Sequence, residues 1–263
     1  MKTRIGGAEI AYDDRGRGRP LLFIHAFPLG LSMWDPQAEA LASAFRVIRF
    51  DVRGFGGSPP RDEPLTMDRI ADDAAGLLDH LELTAAVVCG LSMGGYAALA
   101  FSRRYAHRLD GLVLADTKAG PDSDSARRDR HDLAVKVRFD GPRAAADVLT
   151  PKLVGETTLK ERPELISRIR RIILANSPAG IAAALEALAS RPDSAPSLAA
   201  IRAPTLVVCG SEDVLTPLAE SEALHRAIPE SRLEVIPRAG HLSNLENPPA
   251  FNTALSQFLE SAG

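Results

Sequence analysis

The sequence predicts an α/β protein, a mostly parallel sheet flanked by helices and interrupted by one helical insertion. Three observations carry that prediction. Short runs rich in valine, leucine and isoleucine alternate with helix-length segments at both ends of the chain, the pattern of parallel strands joined by crossover helices. In the middle, residues 86–91 read as a strand buried on both faces and pass directly into 93–101, an alanine-rich stretch without β-branched residues that favours a helix. From about residue 118 to 196 no strand-like run occurs at all. Residues 1–117 and 197–263 are therefore expected to form the core and 118–196 a helical insertion.

Taken in order, residues 2–14 alternate around Gly6-Gly7 and predict an antiparallel hairpin at a sheet edge. A turn at Gly16–Gly18 leads to 20–24, the first fully buried strand. A helix over 33–44 and a strand over 46–50 follow, then a glycine- and proline-rich loop over 51–60. Thr66 is a suitable N-cap for a helix to about Leu81, with Asp68 in its first turn. Residues 111–115 make the next strand. In the insertion, helices are expected over 124–139, 143–149, 164–175 and 179–190, punctuated by Pro142, Pro151, Pro163 and Pro178. The alternation resumes with a buried strand (204–210), a helix (218–227) and an edge strand (232–236). The last helix starts at Asn247-Pro248, with Asn as cap and Pro in the first turn.

Composition bounds the function. With 263 residues, 45% hydrophobic and 25% charged, the chain has the make-up of a soluble globular protein with a large core. A net charge of −3 gives no electrostatic case for nucleic acid or an anionic membrane. No apolar run approaches the roughly eighteen residues that cross a bilayer, and residues 1–14 lack an apolar leader core. A cytoplasmic protein is expected. Cys89 and Cys209 each sit in a strand before a glycine, without ligand spacing, and read as core packing.

The chemistry centres on Gly90-x-Ser92-x-Gly94. A strand that turns into a helix within one or two residues leaves no space for side chains beside the apex, so glycines there let Ser92 occupy a strained, exposed turn. A serine hydroxyl needs a base. His80, His107, His131 and His225 fall in polar stretches of helices, whereas His25 and His241 follow strand ends, where parallel sheets place their sites. His241 lies in a short loop before the last helix and is the expected base. Its orienting carboxylate is expected to be Asp213, which also ends a strand, with Asp116 the competing acid and Glu212 pointing outward. For a developing oxyanion, the backbone N–H of Met93 and that of Phe27 are the expected donors, and His25 is a loop-shaping residue. In the insertion, Arg127, Arg128 and Arg130 could attract a carboxylate, but with Asp122, Asp124, Asp129 and Asp132 nearby they read as a solvated face. Leu153, Ile169, Ile172, Ile173 and Leu185 have helical spacing and read as packing.

These residues resemble an α/β-hydrolase-fold serine hydrolase over nearly the whole length. The carriers are His25-Ala26-Phe27-Pro28, Asp51-Val52-Arg53-Gly54-Phe55-Gly56-Gly57-Ser58, Gly90-Leu91-Ser92-Met93-Gly94-Gly95, Gly210-Ser211-Glu212-Asp213 and Gly240-His241. The stretches 33–37 and 91–95 are also similar to the 3-oxoadipate enol-lactonase and bacterial aryl-esterase branches. The resemblance implies cleavage of a small-molecule carboxylic ester or lactone without cofactor or metal, and places residues 118–196 where that family carries a cap. Perhydrolase or C–C bond hydrolase chemistry on the same residues, and a slow-turnover ligand receptor, are the rival readings. Ser92 argues against haloalkane dehalogenases and epoxide hydrolases, which carry aspartate there. One departure is Ala26, where the family usually has glycine; a left-handed backbone at this point would strain alanine.

Overall fold

The computed structural model describes residues 1–261. The chain opens with β1 (Lys2–Ile5) and β2 (Ala8–Arg15), an antiparallel hairpin turned at Gly6 and Gly7, both at positive φ. Then come β3 (Pro20–Ile24), α1 (Asp35–Leu41), β4 (Arg46–Phe50), α2 (Met67–His80), β5 (Ala86–Leu91), α3 (Met93–Arg104) and β6 (Leu109–Ala115). Five helices follow without a strand: α4 (Asp124–Asp140), α5 (Pro142–Leu153), α6 (Glu156–Glu161), α7 (Pro163–Leu174) and α8 (Pro178–Ala189). The chain returns through β7 (Thr205–Gly210), α9 (Leu218–Ala227), β8 (Arg232–Ile236), α10 (Ser243–Glu246) and α11 (Pro248–Ser261).

The strands form one eight-stranded sheet in the order β1-β2-β4-β3-β5-β6-β7-β8. Pairings from β4 through β8 are all parallel, and only the β1–β2 and β2–β4 pairs are antiparallel. Every residue of β5 and β7 is buried, as expected of strands covered by helices on both faces. β8 at the edge is mostly exposed. Strand order reverses between β3 and β5, so the loops leaving the parallel strands diverge there and open a crevice at one end of the sheet.

Several expectations change. The helix expected over 33–44 is a 3₁₀ turn (Leu31–Trp34) followed by the shorter α1, because Pro36 lacks an N–H and fits only the first turn of a helix. Pro151 does not end its helix but sits within α5, which runs on to Leu153. The insertion has α6 as an additional helix, too short at 6 residues to show a periodic pattern. α10 is a further unexpected short helix, and the last two residues of the expected 197–263 core segment lie outside the described residues.

The helical segment leaves and rejoins the sheet at nearly one point. Ser194 N donates to Ala119 O at 3.1 Å, and the Arg191 guanidinium to Gly120 O at 3.0 Å. Of the residues expected to pack, Leu153, Ile169, Ile173 and Leu185 are buried among the helices, whereas Ile172 is only half-buried. Against the core, Asn176 donates to Pro28 O (2.9 Å) and Leu29 O (3.1 Å) and accepts from Gly56 N (2.8 Å). Gly54 and Gly180 bring two backbones together so closely that a Cβ on Gly54 would lie 2.5 Å from Gly180 Cα. Among the described residues, no single helix is long and apolar enough to cross a membrane.

Both cysteines are buried and unpaired with each other. Burial and the nearby Asp116 charge push both thiols up, that of Cys209 to about 12. A thiol reagent such as DTNB at pH 8 is therefore expected to titrate no group in the folded protein and both after denaturation; fast labelling of the native state would contradict this packing.

Candidate active site

The sheet's C-terminal edge collects the end of each parallel strand, and the sequence places a chemically capable residue at each. Ser92 stands between β5 and α3 at φ 55°, ψ −112°, a region non-glycine residues rarely enter. The turn is over-determined by its surroundings. Ser92 N donates to Ala115 O (2.9 Å), while its carbonyl accepts from Tyr96 N (3.1 Å) and the Thr117 hydroxyl (2.9 Å). The flanking glycines are required by contact: a Cβ on Gly90 would lie 2.0 Å from Gly94 O, and one on Gly94 2.1 Å from Ile24 O.

His241, 3% exposed, follows β8, and its Nδ1 lies 2.8 Å from Asp213 Oδ2. With Nδ1 donating to that carboxylate, Nε2 is left as an acceptor. Asp213 also accepts from Leu215 N (2.8 Å), Thr216 N (3.0 Å) and the Thr216 hydroxyl (2.6 Å). Burial opposes its charge, but His241 and these donors outweigh burial and hold the carboxyl below the ordinary range. Asp213 is therefore an ionised partner for the imidazole.

Asp116 is fully buried after β6 at φ 46° and, among the described residues, makes no hydrogen bond to His241. Its Oδ1 accepts from Gly210 N (2.8 Å), and its Oδ2 pairs with the Ser243 hydroxyl. Burial, reinforced by the facing Asp213 charge, pushes this carboxyl well above the ordinary range. The two aspartates thus diverge, the Asp213 carboxyl held below the ordinary range and that of Asp116 above it. Ligand-type atoms of Asp116, Cys209 and Asp213 lie within 4.8 Å of one another, a proximity invisible in the sequence spacing. The carboxylates there are taken up by protein donors and the thiol is held protonated, so the group does not suit a cation.

The loop after β3 differs from expectation in one respect. Ala26 is not among the positive-φ residues, so alanine carries no strain there. His25 shapes this loop as expected: Nδ1 bonds Ala26 O (2.9 Å), Nε2 accepts from Val52 N (3.0 Å), and burial pushes its pKa down. Met93 N, at the start of α3, and Phe27 N donate to no protein acceptor among the described residues.

Ser92, His241 and Phe27 line one cavity of about 240 Å³. Its other walls are Tyr96, Leu149, Leu153, Leu188, Leu215 and Thr216, with Lys118, Asp122 and Arg130 supplying charge. Leu153 is therefore a cavity wall as well as packing. Arg130 is not on a solvated face: it pairs with buried Asp122, which Arg191 also grips at 2.8 Å while lying 4.3 Å over the Tyr96 ring. Burial works against Asp122, yet the two guanidinium groups hold its carboxyl below the usual range. Lys118, half-buried, has no hydrogen bond or ion pair among the described residues. Sequence reading missed Lys118 and Tyr96; their positions, two residues beyond a strand-end aspartate and one helical turn after Ser92, were the available signal. A larger groove of about 430 Å³ lies at the seam between α7 and the loops after β3 and β4, with Asp51, Arg168 and Arg171 in its walls. Asp51 is already bound by Leu31 N (2.7 Å) and Gly57 N (2.9 Å), and no histidine lines the groove beside Ser32.

A carboxyl with a raised folded-state pKa costs stability once pH exceeds its unfolded value, near ~3.9, and that cost grows until the folded pKa is reached. Asp116→Asn keeps an acceptor for Gly210 N and a donor for Ser243 without that cost. The variant is expected to be more stable than the parent, by a margin that widens as pH rises above the unfolded value, at no more than about 1.4 kcal/mol per pH unit. Denaturant melts at several pH values check it; a margin that shrinks with pH would contradict the raised carboxyl.

The chain is similar to known proteins over nearly its whole length. The chain matches a thermophilic esterase from Thermogutta terrifontis, solved with malate bound, at 45% identity and a TM-score of 0.95, over 99% of this chain and 97% of that one. It is 32% identical to 3-oxoadipate enol-lactonase 2 of Acinetobacter baylyi, over 91% of this chain and 88% of the relative. It is also 32% identical to a non-heme haloperoxidase of Rhodococcus erythropolis, over 98% of both. The sequence model of the alpha/beta hydrolase fold matches residues 19–248, so the chain belongs to the alpha/beta hydrolase family.

Proposed function

We propose that this protein is a serine hydrolase that cleaves a carboxylic ester or lactone through an acyl-enzyme on Ser92. The observation that carries the reading is the shared cavity of Ser92, in its strained turn, and His241, bonded to an ionised Asp213. Ser92 Oγ attacks the carbonyl carbon and its proton passes to His241 Nε2. The tetrahedral oxyanion accepts from Met93 N–H and Phe27 N–H, and His241 returns the proton to the leaving alcohol oxygen. Water then repeats the sequence on the acyl ester and frees the acid. Asp213 stays ionised and steadies the imidazolium. Residues 118–196 serve as a cap whose leucines exclude water from the cavity. The similarity to an esterase and an enol-lactonase supports this reading. That to a haloperoxidase supports a second use of the same intermediate, in which hydrogen peroxide replaces water as the attacking group and a peracid leaves.

The cavity also favours a substrate bearing a carboxylate. Its cations, Lys118 and Arg130, face one acid outside the Asp213 pair, Asp122, which Arg130 and Arg191 already share. An anionic group on the substrate meets a free ammonium there, as the malate found in the thermophilic esterase also suggests.

Two experiments test the reading. Ser92→Ala is expected to abolish both turnover of p-nitrophenyl esters and small lactones and one-to-one labelling by an organophosphate. Asp213→Asn should lose on the order of ten-thousand-fold in kcat, while Asp116→Asn keeps most activity; the reverse ranking would reassign the acid. Separately, Lys118→Met should raise KM about tenfold, the equivalent of roughly 1.4 kcal/mol, for a hemi-ester of a dicarboxylic acid and leave a neutral ester unaffected. Equal effects on both substrates would remove Lys118 from substrate recognition.

A further inference from the structure

We infer that Glu246 is a positioning residue through which seating of the cap sets His241, an inference that rests on the assignment of His241 as the base. Glu246 is 6% exposed, and its carboxylate meets three backbone amides. Oε1 accepts from Gly240 N (2.9 Å) and Leu242 N (3.1 Å), the residues on either side of His241. Oε2 accepts from Gly155 N (2.7 Å), in the turn between α5 and α6 of the cap. One carboxylate therefore holds the histidine loop from both sides and ties it to the cap.

The cap is also fastened to the acid. Glu212, next to Asp213, does not point outward as expected but accepts from Thr157 N (2.8 Å) and the Thr157 hydroxyl (2.5 Å). Glu212 N in turn donates to Ala239 O (2.8 Å), which joins the acid loop to the histidine loop. From the cap, Arg162 donates to the Glu246 carbonyl at 2.8 Å.

Two glycines make the docking close. A Cβ on Gly240 would lie 2.2 Å from Gly155 N, and one on Gly155 2.4 Å from Glu212 Oε2 and 2.9 Å from Gly240 N. The cap backbone can sit there only if both residues lack a side chain. When it does, Gly155 N–H orients the Glu246 carboxylate toward the two amides that frame the imidazole. When the cap lifts, that donor is lost and the histidine loop is released with it. Glu246 touches neither substrate nor reacting atoms; its effect runs through the placement of His241.

The test compares Glu246→Gln, Gly155→Ala and the double variant, each in the full chain, with a neutral p-nitrophenyl ester. In Glu246→Gln an amide NH₂ must face at least one N–H that the carboxylate accepted. In Gly155→Ala the carboxylate is intact but the cap is pushed away. Each single change is expected to lower kcat by about ten- to a hundredfold, as small misplacements of a catalytic group do, with KM within about twofold. Organophosphate labelling of Ser92 should slow in parallel. Because both changes act on one contact, the double variant should be no slower than the worse single one. An unchanged kcat, a loss confined to KM, or losses that multiply would overturn the inference. Should Glu246→Gln fail to fold, Gly155→Ala decides by the same kcat and KM criteria. An active Ser92→Ala would instead sink the underlying mechanism, whereas a dead Ser92→Ala beside a fully active Glu246→Gln sinks only the role of Glu246.

Discussion

Everything at the strand ends is placed relative to one close contact, the approach of the α3 N-terminus to the ends of β5 and β3. At 2.0 and 2.1 Å from carbonyl oxygens, the sites where Cβ atoms of Gly90 and Gly94 would stand are filled by backbone. That approach forces Ser92 to positive φ and thereby turns its side chain out of the sheet and into the cavity. It also puts the positive end of a helix behind the hydroxyl, where negative charge would develop in the proposed acyl transfer. The strain is held by bonds to Ala115 and Thr117, so the neighbouring strand β6 is part of the turn.

Charge is separated with equal care around it. Two carboxyl groups lie close together in a dry interior, and both ionised states would repel. The arrangement resolves this by donor count: Asp213 meets an imidazole, two amides and a hydroxyl, whereas Asp116 meets one amide and one hydroxyl. Environments that push paired acids apart in this way assign one a structural and the other an electrostatic part. Across the cavity the balance is reversed, with cations in excess of acids.

The sheet was legible because a parallel strand needs apolar residues on both faces, and runs such as 86–91 and 204–210 supply them. Ser92, Asp213 and His241 were legible for a related reason: each sits immediately after such a run, and the sheet must bring strand ends to one edge. Residues whose place depends on the insertion were not. Arg130 looked solvated because the first half of its helix carries several acids, and only folding shows Asp122 turned inward to meet it. Glu212 and Glu246 face amides of residues 155–157, far away in sequence, and no periodicity records such a contact. The short α6 and α10 escaped because a single turn or two leaves no repeating pattern to read.

The hydrogen bond from Ser194 to Ala119 has a consequence for how such a protein changes over time. It makes residues 120–193 a closed loop on the sheet, entered and left through one doorway. Lengthening or exchanging a loop with joined ends costs little, since closure entropy grows only with the logarithm of its length. New cavity walls can therefore be tried without rebuilding the strands or the serine turn. The freedom is bounded at one place, because any replacement must still lay a bare backbone over Gly240. The cavity walls are thus free to vary, while the close fit over Gly240 is not.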